Sequence, residues 1–593
     1  MKYIGISFLI ITIGAGSLFA ANEQKIYPLD SELYQVISYL YIGQGLALPS
    51  TAGPYSADEL NKMLSRINPD TLDPVSKRFY QQIYDELNRD HKAVIFGFET
   101  ALEAYLHSNT KDFIHESDWV FGYAERKPLL SITLETRLNN NIYGFSEFRL
   151  SPTKYTDYDE GTGELISSYF GSQIFGSNLF FLPPGKIMDL DMSFPFRAFG
   201  AFGGDGWSVQ LGRDKLSWGP GTTGNFMLDD HLRYHNMGRF TSYTKNFKYS
   251  LVTSFFPHPK QYYPEKESDF NVAGVLDTRE RWQGQILDGL YMFLGHRLEG
   301  RLFNDKVGLA ISESIMYQSE ENLLDLRILN PAMFYHNYYI RANANSLLAF
   351  ELDYSPIPYL NIYGQFAVDE FAMIGEPAPG KDKNAHPSAF AYMLGAKTAM
   401  PMFNGFFSGG LEFVKTDPFL YLRYGKNDPQ KLGEWGINYI AAIREYYAGG
   451  HMVYDEDFIG YPFGPDAIVL NANAAYKELG KWNLAANMFY MWHGTHDKWT
   501  LWDYVQPDGE TGTPYVPSPT EQHYTENNSD ANYAARDSVS RLFVFSLKGG
   551  YTILPGLETY AQMDVIHIVN PKNISSNAAI SDLQFSIGFS YSL

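Results

Sequence analysis

The chain has 593 residues, a formal charge of −21 and no cysteine. Lack of thiols excludes a disulfide framework and a thiolate metal site, and so acidic a balance repels nucleic-acid phosphates. Tyr (44), Phe (42) and Gly (51) point to strands and turns, as several soluble domains or one very large closed sheet.

In chain order, Met1-Lys2, an apolar run from Ile4 to Phe19, and Ala20-Ala21 before the polar Asn22-Glu23-Gln24 describe a signal peptide over 1–21. A permanent anchor is the alternative, but the run is short for that and its small terminal residues favour cleavage. With no Cys near the cut, a lipid-anchored form is not expected. No later stretch approaches about 20 apolar residues, so no spanning helix is expected.

Residues 22–92 read as a small amphipathic helical bundle. A first helix is predicted over Ser31 to Ile42. Ser56-Ala57-Asp58-Glu59 has the form of a capping box, in which the Ser56 hydroxyl and the Glu59 carboxylate serve orphan amides reciprocally. Leu60, Met63, Leu64 and Ile67 then share one face. Asp73-Pro74 is an N-cap followed by a proline at the first helical position, with Phe79, Ile83 and Leu87 at steps of four.

From 93 to 593 the period changes to two. Ser131 to Leu138, Leu360 to Phe366 and Leu583 to Leu593 alternate cleanly. One face is apolar. The other carries charge at Glu135, Arg137, Arg297, Glu299, Arg301, Glu351, Asp353, Asp369, Lys397 and Glu412. Strands are predicted at 94–107, 128–138, 141–150, 192–203, 207–217, 231–242, 245–256, 291–303, 306–318, 346–354, 359–369, 388–399, 406–416, 467–476, 483–494, 541–552, 556–568 and 582–593. Short turns (Asn139-Asn140, Gly203 to Gly206, Asn304-Asp305, Ser355 to Pro358, Leu554 to Gly556) alternate with long loops at 151–191, 257–290, 319–345, 417–466 and 495–540. Short turns on one side and long loops on the other are the signature of an outer-membrane barrel; a soluble sandwich gives no reason for it. The count of about eighteen is even. The expectation is an all-β transmembrane barrel of about 18 antiparallel strands, with a periplasmic helical bundle. The last strand, with Phe589 and Tyr591 at alternate positions, resembles the C-terminal signal read by outer-membrane assembly machinery, although it ends on Leu593 rather than an aromatic.

Several stretches are similar to the Wzi-type capsule assembly family: Leu211-Gly212-Arg213-Asp214-Lys215-Leu216-Ser217-Trp218-Gly219-Pro220-Gly221; Glu313 to Tyr317 with Leu329 to Tyr335 and Asn345 to Leu348; Ile362-Tyr363 leading to Val368-Asp369-Glu370-Phe371; Gly460 to Asp466; and the start from Tyr34 to Gly45 with Pro54 to Leu60. The Trp-Gly-Pro-Gly stretch is the most specific. The resemblance covers most of the mature chain. It implies an eighteen-stranded outer-membrane barrel acting as a lectin for surface or capsular polysaccharide, with outer-membrane lipid and the assembly machinery as further partners. A monomer is expected.

Trp218 could stack on a sugar face while Arg213 supplies donors; alternatively Gly-Pro-Gly is a tight loop folding into the lumen with Trp218 as its packing anchor. Arg213 shares parity with Val209 and Leu211, so a bulge would be needed to turn it inward. Asp369 and Glu370 are candidates for hydrogen bonding at the rim, but adjacent strand residues point to opposite faces and so do not form an acid/base pair. Trp499, Trp502 and Tyr504, with Tyr515 and Tyr524, set aromatic faces among hydroxyls and amides, a composition suited to glycans or to lid packing. His231 and His235 beside Asp229 and Asp230 are spaced for a helical metal site in a run that reads as extended. Asp157, Asp159 and Gly161 match only part of a calcium loop. No metal, cofactor or catalytic constellation is expected. A porin or solute channel is the alternative function, since eighteen strands leave room for an aqueous lumen.

Overall fold

The structure, a computed structural model, describes residues 23–593 except 90–91, 159–164, 168–173, 182–189, 192–195, 258–274, 277–289, 320–323, 331–334, 336–342, 372–388, 424–436, 448–450, 499–504, 507–516, 521–524 and 527–535. The expected signal peptide lies outside the described residues.

Alternating side chains form one closed antiparallel sheet. Its strands are β1 (Val94–His107), β2 (Leu130–Leu138), β3 (Ile142–Leu150), β4 (Arg197–Gly204), β5 (Trp207–Asp214), β6 (His235–Tyr243), β7 (Phe247–Phe255), β8 (Leu290–Leu302), β9 (Val307–Ser319), β10 (Asn343–Ile357), β11 (Leu360–Glu370), β12 (Ala389–Met402), β13 (Gly405–Thr416), β14 (Ala467–Glu478), β15 (Trp482–His493), β16 (Ser540–Leu554), β17 (Leu557–Val569) and β18 (Ile580–Ser592). Each pairs with the next, and β18 pairs with β1 from Gln584↔His107 to Ser592↔Glu99, closing an eighteen-stranded barrel. The predicted strands all appear. Several boundaries move: β10 is three residues longer at each end and β12 at its second end, β4 starts at Arg197, and β5 ends at Asp214 and β6 starts at His235, the last two where the chain departs from the wall into the lumen.

The alternation is inside out. On β18, Asp582, Gln584, Ser586 and Ser590 are buried while Leu583, Phe585, Ile587 and Phe589 are exposed. Likewise Arg297 and Glu299 are buried on β8 beside an exposed Leu298, and Glu412 on β13 between exposed Leu411 and Phe413. An apolar band outside and ionic residues inside is the pattern of a barrel solvated by hydrocarbon. Exposed Trp207, Phe247, Phe303, Tyr359, Phe403 and Trp482, in or beside the short turns, ring its lower edge. All but one of those turns contain a residue in the left-handed region, among them Asn139, Gly206, Asn304 and Gly556, which lets a few residues reverse the strand.

At the short-turn end lie three helices, α1 (Glu32–Gln44), α2 (Ala57–Leu64) and α3 (Pro74–Leu87). Asp73 caps α3, accepting from the amides of Val75 (2.9 Å) and Ser76 (3.1 Å). Only half of the expected capping box forms. Ser56 Oγ accepts from the Glu59 amide (3.2 Å), but the Glu59 carboxylate turns to Lys248 Nζ of β7 (2.6 Å), because a buried lysine is a stronger partner than a neutral amide. The helices share one core, Val36, Leu40, Leu60, Leu64, Phe79 and Ile83, extended by Phe406 of the barrel. Lys62 reaches Asp205 (2.5 Å) and Arg66 reaches Asn246 (2.8 Å), both in short turns.

Leu411 is 66% exposed in the middle of the apolar band. Leu411→Arg is therefore expected to cost about 2–4 kcal/mol when the protein is folded in lipid vesicles, read by urea titration; a change within about 0.5 kcal/mol would mean that this face meets water.

Candidate functional site

The lumen is filled unevenly. From the short-turn end, residues 46–56 enter against charged wall positions. Leu48 N donates to Asp353 Oδ2 (2.9 Å), and Lys248 Nζ donates to Ser50 Oγ (3.0 Å) and the Ala52 carbonyl (2.6 Å). Arg297 bridges three groups: Thr51 Oγ1 (2.7 Å), Glu299 (2.8 Å) and Glu351 (3.0 Å). Each charge removed from water thus has a counter-charge or dipole, the condition for burying it.

From the long-loop end, the β5–β6 connection descends to meet this segment. Ser217–Trp218 pairs antiparallel with Ala52–Gly53, and Gly219 N donates to the Thr51 carbonyl (2.9 Å). The amides of Thr222 and Thr223 donate to Glu412 (2.7 and 2.8 Å), which also accepts from Tyr363 (2.7 Å). Lys397 reaches the Pro220 carbonyl, and Gln365 donates to Asn225 Oδ1 (2.9 Å). Gly219 (φ +137°) lies so close to Gln365 and Asn225 that a Cβ there would stand 1.8 and 2.2 Å from their polar atoms. Two segments from opposite ends are therefore joined by a small sheet inside the barrel.

Beside this plug, against the strands nearest the β18–β1 seam, a cavity of 1840 Å³ remains. Its lining includes Pro28, Leu29 and Asp30 ahead of α1, and Lys572, Asn573 and Asn577 between β17 and β18. Tyr123, Tyr155, Phe196 and Phe463 are among its lining, with Arg149 and Arg233 lying over the Phe196 ring (3.9 and 4.7 Å) and Arg233 over that of Tyr123 (5.1 Å). Arg149, Lys154, Arg197, Lys215 and Arg233 face Asp214, Asp230, Asp455 and Asp457. Several are held in pairs: Arg149 on Glu147 (2.6 Å), Arg197 on Asp214 (2.7 Å), Arg233 on Asp191 and Lys154 on Asp455. Asp455 belongs to, and Lys154 immediately precedes, a small five-stranded sheet contributed by the long loops (Tyr155–Tyr158, Leu165–Ser167, Val275–Leu276, Ile440–Tyr447, His451–Phe458). Burial works to lower the Lys154 pKa, but the Asp455 carboxylate outweighs it and holds the ammonium above its ordinary range. Such walls offer paired donors, acceptors and apolar faces, the complement of a polyhydroxylated ring.

Arg213, Trp218, Asp369 and Glu370 do not line this cavity, whereas Asp230 and His231, weighed above as metal ligands, do. Trp218 is 1% exposed and sits in the central core with Phe226, Leu228 and Phe293, the packing-anchor arrangement. Arg213 keeps its outward parity. No bulge turns it; its Nε donates to Asn236 on the same outer face (3.0 Å) and its guanidinium stacks on Tyr234 at 4.0 Å. Asp369 faces inward and accepts from the Tyr421 amide (2.5 Å), whereas Glu370 faces the other way and pairs with Arg423. Trp499, Trp502, Tyr504, Tyr515 and Tyr524 lie outside the described residues, as do Asp159 and Gly161 of the partial calcium pattern. His231 and His235 have separate surroundings: the first pairs with Asp229 (3.0 Å), the second contacts Ser254 (3.2 Å) and the ring of Phe256. No group of three His, Cys, Asp or Glu among the described residues could hold a metal ion. Sequence reasoning missed Arg149 and Arg197, although their inward parity was readable, and Lys215, Arg233 and Lys154, whose approach depends on how the loops fold inward.

Among solved structures, the chain is similar to Wzi, an outer-membrane protein involved in group 1 capsule assembly in Escherichia coli and a carbohydrate-binding β-barrel. The TM-score is 0.54 over 95% of this chain and 98% of that chain, with 11% identity. The fold is that of the Wzi barrel. OpdK of Pseudomonas aeruginosa (TM-score 0.36, 7% identity, 84% and 98% covered) and a BenF-like porin of Pseudomonas fluorescens (0.36, 10%, 85% and 99%) are also similar. No protein-family model matches the chain, and no curated protein matches it by sequence.

His231 lines the cavity. Burial disfavours its charged form, but the Asp229 hydrogen bond and the carboxylates of Asp457 and Asp230 outweigh this and raise its pKa. A raised folded-state value contributes stability that is fully present below the unfolded value of about 6.5 and is lost as pH rises through the folded one. NMR titration is expected to place the His231 midpoint above that of a free histidine, and Asp229→Asn to lower it; an unchanged midpoint in the variant would contradict this pairing.

Proposed function

We propose that the mature chain is an outer-membrane barrel that holds surface or capsular polysaccharide and does not conduct solutes. In this reading residues 1–21 are removed, 22–92 form a periplasmic bundle, and 93–593 form the barrel with its long loops outside the cell. The assembly machinery reads the last strand. The chain acts as a monomeric lectin and not as an enzyme.

The observation that carries the reading is the obstructed lumen beside a charged, partly aromatic cavity. A diffusion channel works by leaving a continuous water path. Here the centre of the barrel is occupied by the joined segments 46–56 and 215–228, secured by Arg297, Lys248 and Glu412. The resemblance of the fold to a carbohydrate-binding barrel supports the same choice. Binding at the cavity would combine contact with its aromatic lining and hydrogen bonds from the surrounding charges, weak singly and summed along a repeating polymer.

Purified barrel in detergent is expected to co-sediment with the surface polysaccharide of its own source. Lys215→Ala is expected to weaken retention about tenfold, the loss of one charge-assisted hydrogen bond. No retention of any cognate polysaccharide would reject the lectin reading. In planar bilayers the barrel is expected to be silent; a steady open pore would support the channel alternative.

A further inference from the structure

The outer wall breaks its own rule at one place. By strand parity, Met292, Leu294 and His296 on β8 and Glu313, Ile315 and Tyr317 on β9 face away from the lumen, as do the exposed Leu298, Leu302, Leu309 and Ile311. Yet Leu294 is 0% and Glu313 only 6% exposed. The cover comes from the connection between β9 and β10. Ile328 packs with Met292, Leu294, Ile315 and Tyr317 in one apolar cluster that includes Tyr335. The Asp325 amide donates to Tyr317 Oη (3.3 Å). Tyr335 N donates to Glu313 Oε1 (2.7 Å), its hydroxyl donates to the Ile328 carbonyl (3.0 Å), and its ring stands edge-on to His296 at 5.4 Å. Part of this long loop therefore folds back down the outside of the barrel. It does so within the apolar band, because Phe255, paired with Met292 on the adjacent strand, is 46% exposed.

The far side of this cover is apolar. In the single 3-10 turn Leu326–Leu329, Ile328 faces the barrel while Leu326 and Leu329, with Leu324 just before, are exposed, Leu326 to 71%. The two charges in the turn are joined to each other, Arg327 Nε donating to both Asp325 oxygens (2.9 and 3.0 Å). Three outward leucines suit hydrocarbon better than water, and the one cation among them, Arg327, whose side chain is 47% exposed, is held on Asp325 rather than left as a lone charge.

We infer that residues 324–330 form a strap immersed in the outer leaflet, with Leu324, Leu326 and Leu329 touching acyl chains, laid through Ile328 over Met292, Leu294, Ile315 and Tyr317, next to the Tyr335 that covers Glu313 and His296. The strap widens the barrel's membrane footprint on one side and ties a long loop to the leaflet. This rests on the outer-membrane reading above.

The chain has no cysteine, so single thiols can be placed at will. Leu326→Cys is compared with Phe350→Cys in the exposed band and Ser576→Cys in a long-end connection. Each is labelled with an environment-sensitive fluorophore and folded into phosphatidylcholine vesicles, with folding checked by heat-modifiable migration on gels. Leu326→Cys is expected to show blue-shifted emission lost to spin-labelled lipid and spared by iodide, as for Phe350→Cys, with Ser576→Cys behaving oppositely. If Phe350→Cys is itself quenched by iodide, the membrane reading fails. If only Leu326→Cys is, the strap proposal alone is overturned. Protection of Leu326→Cys from both quenchers would place a second copy there and also overturn it.

Discussion

In hydrocarbon, a backbone amide or carbonyl without a partner has no water to turn to, so a sheet that enters a membrane must have no edge. Here the requirement is met where β1 and β18, separated by nearly the whole sequence, form their ladder. The seam is fastened at its upper end by Asp582, which accepts from the Ser108 amide (2.9 Å), the Ser108 hydroxyl (2.8 Å) and the Asn109 amide (2.8 Å). Closure also assigns every side chain to one of two solvents. Along most of the wall leucines fall outside and charged side chains inside, with Arg213 and Glu313 as outward exceptions.

A wall of eighteen strands encloses more space than its own side chains fill. Its inward charges then need partners from elsewhere in the chain. Residues 46–56 supply them from one end, through Thr51 between Arg297 and Glu351 and Ser50 against Lys248. The Trp-Gly-Pro-Gly loop supplies them from the other, presenting backbone amides to Glu412. Where neither segment reaches, the charges pair along the wall, as Arg149 does with Glu147, and an open cavity survives between them. The plug and the cavity thus have a common origin.

The same demand acts on the outer face. Glu313 and His296 point to the side that should meet lipid, and a bare carboxylate there would be costly. The amide and ring of Tyr335 answer it, and Ile328 seals the patch. Leu326 then restores an apolar exterior one layer further out.

The wall was legible in the sequence because a period of two is a local property. Alternation such as Leu583-Gln584-Phe585-Ser586 shows which residues are segregated without reference to any distant contact, and the asymmetry of turn and loop lengths then tells a barrel from a sandwich. Helix starts were legible for the same reason, with Asp73 capping as its position suggests. What the sequence could not show was which surface each loop would meet. Glu59 looked like a local cap and became the partner of Lys248; Trp218 looked more like a core anchor than a sugar platform, and only its pairing with Ala52 shows which core it anchors. The descent of residues 215–234, the cavity beside them and the fold-back of the β9–β10 loop depend on charges and apolar surface brought together from distant parts of the chain. By itself the sequence determined the alternation, and so the two faces of the wall. Only the closed barrel decided what fills the inside and what covers the outside, because those contacts exist only once the ring is complete.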